Sequence, residues 1–304
     1  MTYAPIIIFA FNRLKPLQAC VAALQTNSEA KESDLIVFVD GARPQKQGEK
    51  EKVQDVCDFV KTITGFKSHT YHFSRRNKGL GPSIIAGVTE VVNLYGKAII
   101  LEDDLIVSQN FLSYMNQGLE KYESNKKVFS IGGWGCKVQP PKNYYYDAYM
   151  DVRSTSWGWG TWIDRWKSVD WELKNWGNVV KTKRSFNRWG GGDCYSMLKG
   201  WHDGHNQSWA IRFTYAQFLQ NKLTLFPILS KVDNKGFDEN ATDCPRYCRT
   251  KWIFEDSSTK EFRLPDDVRI DNRFHKQVMY YRSFFCRAKA KLINLFLNIL
   301  YKFS

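Results

Sequence analysis

Residues 97–104 read Lys-Ala-Ile-Ile-Leu-Glu-Asp-Asp, an unbroken apolar run that stops in three consecutive acids. Apolar residues without period-two alternation mark a strand covered on both faces. Two earlier stretches share the design. Residues 5–11 (PIIIFAF) end at Asn12-Arg13, and residues 34–39 (DLIVFV) end at Asp40-Gly41. Helical spacing over 17–24, 49–64 and 82–95 separates these strands from one another and from a shorter strand at 67–73. Gly96 is placed to stop the third helix. Strand alternating with helix predicts an α/β fold, Rossmann-like, with a mostly parallel sheet flanked by helices. In such sheets ligands gather at the carboxyl ends of the strands. Asn12, Arg13, Asp40 and the triplet Glu102-Asp103-Asp104 should therefore converge on one edge.

The pattern weakens after about residue 130. Glycine, tryptophan and tyrosine cluster over 131–171 with little periodicity. A helix is expected over 107–122 and another over 208–219, then a strand over 223–229 and polar turns over 233–243. With no internal repeat or low-complexity linker, the reading is a single domain over 1–274. Within it, 1–130 form one half and 131–274 an elaborated second half. Residues 275–304 form a separate tail with six Lys and Arg, no acid, and many apolar side chains between them.

Hydrophobic residues make up 43% of the 304, which excludes a disordered chain. Lys+Arg 44 against Asp+Glu 31 gives +13, a balance that favours an anionic partner: a nucleotide, a nucleic acid or an anionic membrane. No nucleic-acid-binding motif accompanies it. Seven scattered cysteines read as reduced thiols, with only the C-x3-C of Cys244 and Cys248 close together. The amino-terminal apolar run is short and lacks a basic leader, so it reads as a strand and not as a signal peptide. No stretch approaches the ~20 apolar residues of a spanning helix. The tail reads as a cationic amphipathic helix suited to an anionic bilayer, or as a helix packed on the domain or in a dimer. A cytoplasmic protein, peripheral on the inner face of the cell membrane, is the expected location.

Adjacent carboxylates repel, and a shielded cluster of them needs a cation. Oxygen ligands select a hard divalent ion, Mg2+ or Mn2+, which can bridge them to a diphosphate. The same triplet also reads as a solvated acidic turn. Arg75, Arg76 and Lys78 with Gly79 and Gly81 form a basic turn ahead of a helix, able to approach phosphates closely. Neither a Walker loop nor G-x-G-x-x-G is present. Trp157, Trp159 and Trp162 alternate with glycines and suit either sugar stacking or core packing.

Taken in order, Phe9-Ala10-Phe11-Asn12-Arg13, Asp40, Arg76-Asn77-Lys78-Gly79-Leu80 and Leu101-Glu102-Asp103-Asp104-Leu105 resemble a GT-A glycosyltransferase. The later blocks Trp157-Gly158-Trp159-Gly160-Thr161-Trp162, Ser208-Trp209-Ala210-Ile211-Arg212 and 234–238 extend the resemblance to roughly residues 4–245. It lies near the family 2 sugar transferases and is similar to the N-acetylglucosaminyltransferase that initiates complex N-glycans. The resemblance implies a metal-dependent, inverting transfer of a hexosyl or N-acetylhexosaminyl group from a nucleotide-sugar, a UDP-sugar foremost. A glycan or lipid-linked glycan would accept it, as in polysaccharide biosynthesis. By the same resemblance Arg13 and Asp40, with Arg76 and Lys78, bind the nucleotide-sugar. Glu102 and Asp103 orient the ribose and donor sugar, Asp104 holds the metal, and Trp157, Trp159 and Trp162 meet the acceptor.

An inverting transferase needs a carboxylate base. Relatives often carry an acid just before the Ser-Trp helix, where this chain has Gln207. Asp203 is the nearest acid upstream and stands first, ahead of Asp238 and Asp243. The competing class is a non-catalytic protein that binds glycans through tryptophans and membranes through its tail. The acidic triplet discriminates, since such a binder has no use for it. A sugar nucleotidyltransferase would want a glycine-rich loop that residues 9–15 lack.

Overall fold

A computed structural model describes residues 2–236, 247–255 and 257–300, with only the backbone considered at 298–300. Its first half is the alternating unit that the sequence dictates. Strands β1 (Ile6–Ala10), β2 (Asp34–Val39), β3 (Ser68–Phe73) and β4 (Lys97–Glu102) stand in the order β3-β2-β1-β4, all parallel. Helices α1 (Leu14–Gln25), α2 (Glu49–Lys61) and α3 (Leu80–Tyr95) connect them, and Gly96 ends α3 at φ +78°. The unbroken apolar runs have a direct cause. On β1, Ile6 and Ile8 enter one core and Ile7 and Phe9 the other; on β4, Ile99 and Leu101 oppose Ala98 and Ile100. Each fully buried isoleucine contributes roughly 1.5–3 kcal/mol of transfer free energy.

The sheet continues through the second half. After β5 (Leu105–Val107) and α4 (Phe111–Lys121) come β6 (Val128–Gly132), β7 (Ala148–Asp151) and β8 (Trp159–Trp162). Next are α5 (Ile163–Lys167), α6 (Trp176–Gly190), α7 (Cys194–His202), α8 (Trp209–Leu219), β9 (Leu223–Pro227) and β10 (Val232–Asn234). The eight-stranded order is β3-β2-β1-β4-β8-β6-β9-β7, with β8 antiparallel to both β4 and β6, and β7 antiparallel to β9. The second half is thus mixed, not parallel, although one sheet spans both halves.

Two expectations are corrected here. Val107 does not open a helix; with Leu105 and Ile106 it pairs with β10, which runs into the stretch expected to be turns, and the helix starts only at Phe111. The Trp-Gly block is a central strand. Gly160 suits the tight packing there, since a Cβ would press on the Ala98 carbonyl at 3.1 Å and on Met115 at 3.2 Å.

The tail divides in two. Helix α9 (Asn272–Tyr281) buries Phe274 and Val278 against Tyr149, Phe226 and Cys136, and His275 Nδ1 lies 2.7 Å from the buried Asp151. It belongs to the domain, so a boundary at residue 275 falls inside a packed helix. Helix α10 (Phe284–Leu300) follows. No helix among the described residues is long and apolar enough to cross a membrane. The described cysteines are unpaired.

Candidate active site

The strand ends do converge. A cleft of about 620 Å3 opens at the carboxyl edge of β1, β2 and β4, lined by Arg13, Asp40, Lys78, Glu102, Asp103 and Asp104, among others. Arg13 sits between β1 and α1 and aims one nitrogen at both acids, 2.8 Å from Asp103 Oδ1 and 2.7 Å from Asp104 Oδ2. Burial disfavours its charge, but the two carboxylates more than offset that, and its pKa rises. Asp103 is nearly enclosed. Burial first, and Asp104 second, push its carboxyl up to about 6, against the pull of Arg13 and a backbone hydrogen bond from Phe11. Asp104 is more open to the cleft.

Asp104 also has a neighbour that keeps space clear. A Cβ on Gly236 would lie 2.2 Å from Asp104 Oδ2, so any larger residue there would push the carboxylate aside. The Lys235 N–H donates to the Asp104 carbonyl at 3.0 Å, fixing this approach. The pairing of β10 with β5 carries Gly236 to that position. One carboxylate facing a cleft, with a cradle that a Cβ would fill, suits a Mg2+ or Mn2+ ion completed by phosphate oxygens and water. No cluster of three or more His, Cys, Asp or Glu side chains is assembled among the described residues.

Asp40 organises the opposite wall. Its carboxylate accepts from the backbone N–H groups of Lys78 (2.9 Å) and Gly79 (2.9 Å), and from its own neighbour Gly41 (2.9 Å). Such a carboxylate is a clamp on the basic turn, and only secondarily a surface for a ligand. Lys78 then faces the cleft. Arg76 is not among the residues that line it; its backbone packs where a Cβ on Gly41 would be 2.5 Å away. The turn is also closed from the second half. Gly79, at φ +83°, and Gly81 lie against Gln207, whose side-chain and main-chain oxygens would each be 2.2 Å from an added Cβ. Ser208 then caps α8, accepting from the Ile211 N–H.

Sequence reasoning missed a second support. Glu49, buried at the start of α2, accepts from Arg43 N (2.8 Å) and Asn12 (3.1 Å) and pairs with the Arg43 guanidinium. Bonding to Arg43 is the main reason its carboxyl falls to about 2, burial working against it. Asn12 and Arg43 line the cleft while Glu49 holds them. An acid inside an otherwise exposed, charged helix start gives no periodic signal, which explains the omission.

Several expected residues lie elsewhere. Trp159 and Trp162 are 1% and 2% exposed and face opposite cores, so neither offers a ring to an acceptor. Trp159 stacks on Trp209 at 4.7 Å; the Trp162 indole N–H donates to the Leu119 carbonyl at 3.0 Å. Trp157 is half-buried and joins Trp134 (5.0 Å) and Trp252 (5.7 Å) in an aromatic group. Asp203 ends α7, pairs with Lys199 and His202, and does not line the cleft. Those contacts, Lys199 foremost, lower its pKa, which is the wrong direction for a base near neutral pH. Asp238 and Asp243 lie outside the described residues.

No protein-family model and no curated protein matches the chain. Among solved structures it is similar to a mannosyltransferase of Pyrobaculum calidifontis in complex with GDP-Man and Mn2+. The TM-score is 0.33 at 10% identity, over 53% of this chain and 45% of that one. It is similar to S. aureus TarS with a TM-score of 0.31 at 11% identity, over 48% of this chain and 24% of that one. A Desulfovibrio desulfuricans protein described as a nucleotide-diphospho-sugar transferase gives 0.29 at 12% identity, over 60% and 77%. The chain thus spans less than half the length of the first two.

Proposed function

We propose that this chain is a GT-A glycosyltransferase that moves a sugar from a nucleoside-diphosphate sugar, a UDP-sugar foremost, to a glycan or lipid-linked glycan, with inversion. The observation that carries the reading is Asp104 at the end of a buried strand, held by Arg13 and kept clear by Gly236, in a cleft that Lys78 and Asp40 share. Asp104 would hold Mn2+ or Mg2+. When bound, the ion supplies positive charge against the departing diphosphate. Arg13 and Lys78 add fixed charge where negative charge develops, and Arg13 needs no reorganisation because Asp103 and Asp104 already position it. Glu102 and Asp103, at the same strand end, orient the ribose and donor sugar. Trp157, with Trp134 and Trp252, forms the acceptor side. A non-catalytic glycan- and membrane-binding protein would show neither Mn2+-dependent nucleotide binding nor donor turnover.

The test is calorimetry with UDP and with GDP, each with Mn2+, followed by a donor-hydrolysis screen with and without Mn2+. Asp104→Ala should weaken Mn2+-dependent nucleotide binding by at least about 10–100-fold, since loss even of a ligand's supporting partner costs that much. Circular dichroism should be unchanged, because Asp104 packs in no core. Equal affinity in the variant would remove Asp104 from the site.

A further inference from the structure

Outside the cleft, several exposed large apolar side chains gather on α10. Phe284, Phe285, Leu292, Leu295 and Phe296 are 70, 83, 67, 58 and 61% exposed. At 3.6 residues per turn these five fall within an arc of about 120°. Lys291 lies just beyond one edge of that arc and Lys289 just beyond the other, both exposed. The opposite face is committed to the domain. Asn294 exchanges two hydrogen bonds with the Tyr247 backbone, 2.8 and 3.1 Å. Ala290 is buried, and Arg287 reaches to where a Cβ on Gly192 would be 2.9 Å away. Below it, α9 is fastened by Phe274 and Val278, by His275 to Asp151, and by Arg282 to the Val152 carbonyl at 3.3 Å. The helix is therefore held by one side while five large apolar groups face outward.

We propose that this face of α10 is an interfacial anchor that lies on an anionic lipid bilayer. Apolar side chains in a narrow arc with lysines along both edges match the acyl boundary and the headgroup level respectively. Charge decides the occupant. The charged side chains that flank the exposed face are Lys289 and Lys291, and the sequence has no acid from residue 275 onward. Two copies meeting through this face would set like charges against each other, whereas an anionic bilayer neutralises them. The inference is independent of the reading of the cleft.

The full chain is sedimented with phosphatidylglycerol–phosphatidylcholine vesicles and with phosphatidylcholine vesicles. Binding is expected to the first, to be much weaker to the second, and to fall as salt rises. Phe285→Ser/Leu292→Ser/Phe296→Ser should leave the protein in the supernatant with its melting temperature unchanged. Lys289→Gln/Lys291→Gln should weaken binding about thirtyfold, roughly fivefold per lysine. Should the triple variant lose its fold, the lysine pair carries the test, because it leaves the apolar face intact. Equal binding to both vesicle types, or no binding to either, overturns the proposal. So does a concentration-dependent dimer in sedimentation velocity that the triple variant abolishes while the wild type ignores vesicles.

Discussion

The two halves of the sheet use their strand ends differently. In the first half, β1, β2 and β4 each bury both faces and hand polar residues to a common edge, where Arg13, Asp40 and Asp103-Asp104 meet. In the second half, β8 carries its most conspicuous residues inward. Trp159 and Trp162 are structure, and only Trp157, just before the strand, is half open. A run of apolar residues locates a site by where it stops. Aromatic residues among glycines do not, because the glycines serve close packing as readily as ligand approach.

The sharpest way to break this comparison is the tryptophan pair. Trp159→Ala should lower stability by about 3–5 kcal/mol, as expected when a core aromatic is removed. Trp157→Ala should lose roughly 1–2 kcal/mol and instead raise the KM for acceptor, with donor hydrolysis unchanged. Denaturant melts and acceptor titrations separate the two. If Trp159→Ala altered acceptor KM at little stability loss, β8 would be a binding strand after all.

A smaller effect should follow from Glu49. Its folded pKa is depressed, so its contribution is present above the ordinary carboxylate pKa and is lost as pH falls toward about 2. Glu49→Gln should cost about 1 kcal/mol near pH 7, since Arg43 is one-third exposed and screened by water. The difference between wild type and variant should vanish on acidification through that window. A gap that kept its full size at pH 2 would mean that packing, not charge, holds the loop.

The smallest expected effect is at Asp203. Placed on the surface with Lys199 and His202, its replacement by Asn should change the transfer rate by less than about twofold. A collapse of transfer with intact donor binding would return Asp203 to the role of base.

Much of the first half was legible in the sequence because burial on both faces writes itself as uninterrupted Ile, Leu and Val. The expected strand at 34–39 and the stop at Gly96 were met. What stayed hidden depends on partners distant along the chain. Val107 reads as the first residue of a helix, and only pairing with Val232–Asn234 makes Leu105–Val107 a strand. Glu49 becomes a site residue only when Asn12 and Arg43 fold onto it. The carboxyl-terminal segment read as one amphipathic unit, since basic and apolar residues are mixed throughout; the tertiary contacts of Phe274 and Val278 divide it.

The placement of β8 between β4 and β6 has a mechanical consequence. Because backbone hydrogen bonds run without interruption from the first half of the sheet to the second, the two halves cannot shut like jaws around a hinge. Any opening for entry and exit falls to rim elements, such as the glycine turn resting on Gln207. The floor of the cleft is then a fixed template, set when the chain folds and unchanged as ligands come and go.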